Sequence, residues 1–146
     1  MVNDQFLLPQ PDEDSAPFWD GCARGELLVQ RCANCGRPRI PPRPMCPSCR
    51  SSASGWEQLS GRGTVWSLVV PHPPLLAAYA AVAPYNVVVV ALDEDPGLRM
   101  VGNVVTGPDA PLNSVDPSTL GIGDAVEVVF DTPVDGIAMP RWRRAG

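Results

Sequence analysis

Residues 31–50, RCANCGRPRIPPRPMCPSCR, carry the pattern that decides the fold. Cys32-x-x-Cys35 and Cys46-x-x-Cys49 each place two sulfurs on one tight turn. Two such turns can close a tetrahedral four-sulfur shell around zinc, with metal–sulfur distances of about 2.3 Å. Gly36 follows the first pair, where a knuckle wants a residue free to take positive φ. Prolines between the pairs stiffen the loop that returns the second turn to the first. So short a segment has too few apolar residues to fold alone, and the metal must supply much of its stability. Two disulfides or an iron centre are the alternatives. Adjacent Cys-x-x-Cys bridges would not brace the segment, and a cytoplasmic setting keeps thiols reduced. Catalytic zinc usually keeps three protein ligands and an open position, whereas here thiolates fill all four. The expectation is one structural zinc on Cys32, Cys35, Cys46 and Cys49.

Outward from this segment, four regions are expected. Residues 1–14 read as a flexible acidic lead-in. Residues 15–26 form one short helix, with Ser15 as its cap, Pro17 in its first turn and Gly25 at its end. Phe18 and Cys22 share its apolar face, and Cys22 reads as a small buried hydrophobe. The ribbon covers 27–55, opening with a strand over Leu27 to Arg31 and closing with a polar link, Ser51 to Gly55. From 56 to 146 the pattern turns to strands, expected over 63–70, 86–92, 98–105, 124–130 and 137–142. The run Val87 to Val90 suits a strand buried on both faces. In 124–130, Val126, Val128 and Phe130 are expected inward and Glu127 outward. Asp135-Gly136 marks a turn. Five strands in about 85 residues match a small Greek-key barrel of the OB type. The fold class is mainly β: helix, ribbon, then a five-stranded OB-fold barrel.

The chain has 146 residues, a formal charge of −5 and 18 prolines, and its 11 basic residues are all arginine. The proline load disfavours long helices. An acidic chain gains little from a phosphate backbone, which argues against nucleic acid as the main partner. No secretory signal is visible. Residues 63–92 carry no charge, but prolines interrupt them well short of the roughly 20 continuous apolar residues of a membrane helix. The expected location is the cytoplasm. A catalytic constellation is not recognisable. His72 is the one histidine, flanked by prolines, and no nucleophile motif accompanies it. Asp93, Glu94 and Asp95 read as a solvated turn.

Two surfaces suggest contacts. The ribbon carries Arg31, Arg37, Arg39, Arg43 and Arg50 without an acid, about +3 after an S₄ zinc cluster of about −2. These arginines either neutralise the cluster and solubilise the module, or meet an anionic cofactor or acidic partner. The second surface is the uncharged run His72 to Pro84, which includes Leu75, Leu76 and Tyr79, followed by Tyr85. It either packs on its own barrel or forms an interface or ligand lip.

Several blocks carry a family resemblance across nearly the whole chain: Phe18-Trp19-Asp20-Gly21, Leu28 to Cys32, Cys35-Gly36, Pro41 to Pro47 with Cys49, Ser60-Gly61-Arg62-Gly63-Thr64-Val65, Pro84-Tyr85, Gly121-Ile122-Gly123 and Val126 to Phe130. In these the chain resembles a bacterial and archaeal family, long catalogued as a domain of unknown function. Its members join a rubredoxin-like zinc ribbon to an acyl-CoA-associated OB-fold. The resemblance implies a non-catalytic accessory subunit, with catalysis in a thiolase-superfamily partner. The favoured partner is a lipid-transfer-protein-like aldolase, performing retro-aldol cleavage in steroid side-chain degradation as in actinobacteria. A thiolase proper or a MaoC-type enoyl-CoA hydratase is the alternative. The chain reads as the bare ribbon–barrel unit, without the hydratase extension that some members carry. Arg37, Arg39, Arg43, Leu75, Leu76, Tyr79 and Tyr85 are the candidate contacts to the partner, with acyl-CoA near that interface. A single-stranded nucleic-acid binder and an independent enzyme remain the readings from other classes.

Overall fold

A computed structural model describes residues 6–146 of the chain. The expected lead-in over 1–14 falls partly outside these residues. By Asp12 the chain is already turning into helix α1, Ala16–Ala23. Ser15 holds the N-cap position, but its side chain caps no N–H of α1, and the capping side chain is that of Asp12. The Ser15 N–H donates to Asp12 Oδ1 at 2.8 Å, while the Asp12 N–H donates to Ser15 Oγ at 3.0 Å. This reciprocal pair is a capping box displaced one turn upstream, with the serine three residues after the aspartate. Helix α1 rests on strand β1: a Cβ added at Gly21 would meet the Leu28 side chain at 2.8 Å.

The ribbon is a three-stranded antiparallel sheet of β1 (Leu27–Cys32), β2 (Pro38–Arg39) and β3 (Ser54–Leu59), in the order β2-β1-β3. Residues 54 and 55, expected in a polar link, open β3. That strand lacks an apolar alternation because only Leu59 is buried in it, with Trp56 half-buried.

The second sheet runs β6-β5-β4-β7-β8, antiparallel throughout, from β4 (Arg62–Val69), β5 (Val87–Leu92), β6 (Asp95–Gly102), β7 (Ala125–Phe130) and β8 (Pro140–Arg144). All five expected strands form, with β6 starting three residues earlier than expected and β8 three later. The ladder does not close into a barrel. Its ends approach through one parallel bridge, Val104 to Trp142, supported by the Val105 N–H donating to the Trp142 carbonyl at 2.8 Å. Strand β5 is buried on one face only: Val88, Val90 and Leu92 are in the core, while Val87, Val89 and Ala91 are half-exposed. In β7, Val126 is fully buried, Val128 and Phe130 are half-buried against the core, and Val129 is buried as well. The Asp135-Gly136 turn forms, with φ of 51° and 80°.

One apolar core unites the two sheets. Leu27, Val29 and Leu59 of the ribbon join Val65, Val88, Val90, Met100, Val126 and Trp142. The Gly61-Arg62-Gly63 block sits where the sheets join. A Cβ at Gly63 would lie 2.5 Å from Val90 Cγ1 and 2.6 Å from the Ala91 carbonyl oxygen, and Gly61 has φ of +79° against Val128. The β5–β6 turn is tied to the same junction. Glu94, expected in a solvated turn, accepts from the Ser60 N–H at 2.6 Å and from the Ser60 hydroxyl at 3.2 Å.

Candidate metal centre and contact surface

The four sulfurs of Cys32, Cys35, Cys46 and Cys49 lie within 4.8 Å of one another. Cys32 Sγ is 3.5 Å from Cys49 Sγ, and Cys35 Sγ is 3.6 Å from Cys46 Sγ. A tetrahedron with metal–sulfur bonds of about 2.3 Å has edges of about 3.8 Å, so the donor set fits one ion in size and chemistry. Each knuckle turns the same way. The Gly36 N–H donates to the Cys32 carbonyl at 3.1 Å, and the Arg50 N–H to the Cys46 carbonyl at 2.9 Å. Gly36 and Arg50, the residues after each pair, both take positive φ, 76° and 67°. The glycine was foreseen; Arg50 adopts this conformation without being glycine.

Backbone donors prepare thiolates here. The Cys35 N–H, 3.4 Å from Cys32 Sγ, is the main influence holding the Cys32 thiol down to about 6. The Cys49 and Ser48 N–H groups lower Cys46 in the same way. At Cys35 the Arg37 N–H also favours the thiolate, but burial and the neighbouring sulfurs outweigh it and raise that thiol to about 11. Cys22, by contrast, stands apart. Burial pushes it up to about 12, as suits an inert core thiol.

The expected contact residues divide sharply. Arg37 is exposed, its Nη1 donating to Ser48 Oγ at 3.4 Å, and Arg43 is exposed. Arg39 is only 7% exposed; its Nη2 donates to the Arg43 carbonyl at 2.9 Å, while its Nε and Nη1 are buried without a partner. Arg31 pairs with Glu57 on the neighbouring strand. The uncharged run after β4 contains a one-turn helix, α2 (Ala77–Ala80). Leu76 is exposed, Leu75 and Tyr79 are half-buried, and Tyr85 is buried. Tyr79 packs edge-on against Phe6 with centroids 5.0 Å apart, and it lies 6.1 Å from Tyr85. Tyr79 and Tyr85, with Phe18 and Trp19 of α1, wall a groove of about 410 Å³ that reaches Val87 and Val101. Ribbon arginines and apolar run therefore do not form one cluster. His72 is exposed in its loop.

Sequence reasoning missed Asn86. It is fully buried, with its Nδ2 donating to the Val104 carbonyl at 2.8 Å and its Oδ1 accepting from the Val104 N–H at 2.7 Å. It thus replaces a backbone ladder where β5 begins. Among the described residues, no helix is long and apolar enough to cross a membrane.

A metal-bearing ribbon sharing its core with a five-stranded sheet defines a zinc-ribbon plus OB-fold protein. The chain belongs to the ChsH2 family: residues 19–54 match its rubredoxin-like zinc ribbon domain and residues 56–131 its C-terminal OB-fold domain. Its four cysteines are accordingly positioned to bind one metal ion, as a rubredoxin-like zinc ribbon requires. It is 34% identical to the 3-oxo-4,17-pregnadiene-20-carboxyl-CoA hydratase alpha subunit of Mycobacterium tuberculosis, over 95% of this chain and 39% of that protein. It is 38% identical to a probable enoyl-CoA hydratase alpha subunit of Thermomonospora curvata, over 95% of this chain and 40% of that protein. The chain thus spans about two fifths of the length of these relatives. A DUF35 domain-containing scaffold protein of Methanothermobacter thermautotrophicus is 34% identical over 73% of each chain. Among solved structures, a chain of the Ltp2-ChsH2(DUF35) aldolase superposes with a TM-score of 0.79 and 30% identity, covering 95% of this chain and all of that one.

Proposed function

We propose that this chain is a non-catalytic accessory subunit that binds and stabilises a thiolase-superfamily acyl-CoA enzyme, a retro-aldolase of steroid side-chain degradation. The observation that carries this reading is the end-to-end likeness to the chain of the Ltp2-ChsH2(DUF35) aldolase. The hydratase and scaffold relatives support the broader class of subunits in CoA-enzyme complexes. Zinc holds the knuckles and takes no part in the reaction, since thiolates occupy all four tetrahedral positions. Arg37 and Arg43 offer donors to CoA phosphates or to partner carboxylates. Leu76, exposed, and Leu75 and Tyr79, half-buried, offer the partner an apolar surface apart from these arginines. Arg39 and Tyr85 are buried in this chain, where Arg39 supports Arg43 and Tyr85 lies beside Tyr79.

The test is co-expression with the Ltp2-type aldolase subunit of the same genome. A stoichiometric complex is expected on size exclusion, with retro-aldol cleavage of a hydroxyacyl-CoA by the complex and none by this chain alone. Separate elution of the two proteins, or turnover by this chain alone, overturns the proposal. The hydratase relatives motivate a second reading, an accessory subunit of an enoyl-CoA hydratase. It predicts instead a complex with a MaoC-type subunit that hydrates an enoyl-CoA.

A further inference from the structure

Strand β5 presents a discrepancy between its sequence and its surroundings. An uninterrupted apolar run such as Val87 to Val90 belongs to strands covered on both faces. In this chain only the Val88 and Val90 side is covered, by the core. The other side pairs in register with apolar neighbours that are themselves open: Val89 lies beside Val101, which is 70% exposed, and Val87 beside Val69, which is 58% exposed. A bulge between Val65 and Ser67 adds Trp66, 50% exposed, to the same region. Its ring reaches across β5 to stack on Arg99 of β6, with Cζ 3.7 Å from the ring centroid. On OB-folds the second and third strands commonly supply the binding face, and here those strands are β5 and β6.

We infer that the outer face of β4, β5 and β6, centred on Val89 and Val101 with Trp66 and Arg99 at its border, is the surface on which the catalytic partner subunit docks. This rests on the accessory-subunit reading and names its interface. The occupant is a protein surface that is apolar at its centre and places a carboxylate opposite Arg99. Arg99 has one face covered by Trp66 and makes no ion pair among the described residues, so its N–H donors call for an acid. A second copy of this chain fits poorly. Two-fold pairing would join chains that each carry −5 and set the same valine-rich face, instead of an acidic one, opposite Arg99. Nucleic acid fits no better, because the face offers one aromatic, Trp66, and that ring is already stacked on Arg99. Tryptophan and arginine are also the residue types that most often dominate binding at protein interfaces.

The experiment uses the full chain with the Ltp2-type aldolase subunit of the same genome, with affinity measured by calorimetry and the oligomeric state of this chain alone by sedimentation. Val101→Asp and Trp66→Ala are each expected to weaken the complex at least tenfold while leaving the fold and zinc content unchanged. Arg99→Glu should weaken it more than Arg99→Met. Ile122→Asp, at an exposed apolar residue elsewhere on the chain, should leave affinity unchanged. Wild-type affinity in Val101→Asp overturns the docking face while the accessory reading stands. Equal affinities for wild type, Arg99→Met and Arg99→Glu overturn the acidic partner chemistry. A wild-type homodimer that Val101→Asp converts to monomer assigns the face to self-association and overturns the proposal. Absence of any complex with the wild-type chain overturns the accessory reading and this interface with it.

Discussion

Two kinds of residue hold this chain to its fold, and each makes its own prediction. Cys32 and Cys46 receive backbone N–H donors and open the two knuckles, so neither can be replaced by a weaker ligand without opening the zinc shell. Cys46→Ser is expected to lower bound zinc from one ion per chain to a small fraction, measured by elemental analysis of the purified protein. The second kind is glycine under close approach. At Gly63 an added methyl group meets the Ala91 carbonyl oxygen, held in the β4–β5 pairing, and the buried Val90 side chain. Gly63→Ala should destabilise the chain by about 1–3 kcal/mol in a urea melt. Gly55→Ala, with nothing within 4 Å, should change the midpoint little. The metal ligands were legible in the sequence because each pair lies on one turn and needs no distant partner to be recognised. The Gly-Arg-Gly block was visible only as a resemblance. What excludes its side chains is Val90, Ala91 and Val128, brought there by the strand pairing.

At the scale of elements, strand existence was easier to read than strand environment. Strands β4, β5 and β7 announce themselves through β-branched residues, whereas β3 forms because β1 offers it a full register from Leu27–Leu59 to Cys32–Ser54. Strand β5 misled in the opposite way, since an apolar run has no period to say which face is covered. Asn86 carried no signal either: its partner Val104 lies across the loop beyond β6, and only the fold brings them together. Asn86→Leu removes an acceptor from the Val104 N–H and a donor from its carbonyl, both buried. The expected loss is about 2 kcal/mol or more, read from the denaturation midpoint. The capping box at α1 makes a pH prediction. The Ser15 N–H, then the Ser15 hydroxyl, hold the Asp12 carboxyl below its ordinary value of 3.8. A carboxyl depressed by folding contributes stability above its unfolded value and loses it as pH falls through the folded one. The Ser15 amide resonance should therefore titrate below pH 3.8 in the wild type and show no such step in Asp12→Asn.

Across the whole molecule, ribbon and five-stranded sheet depend on the metal unequally, because they share a core but not a clamp. The tip of the ribbon has few apolar contacts, and its knuckles are joined chiefly through the four sulfurs. Its base is anchored differently. Leu27, Val29 and Leu59 sit in the common core, while buried Gln30 accepts from the Arg43 N–H at 2.7 Å and donates to Ser54 Oγ at 3.1 Å. Removing zinc should therefore release the knuckles and leave the base in place, unlike small metal-dependent domains that unfold entirely without their ion. After chelation, amide exchange is expected to rise steeply at Gly36, Cys46 and Arg50, whose bonds lie within the knuckles. The amides of Val88, Val90 and Val126, deep in the core, should stay protected. The global melting midpoint should fall while the transition stays cooperative, because the shared core couples the two sheets. Simultaneous loss of protection at Gly36 and Val90 would mean that the thiolate clamp supports the entire chain. Unchanged protection at Gly36 would mean that proline stiffness and the knuckle hydrogen bonds hold the ribbon tip without an ion.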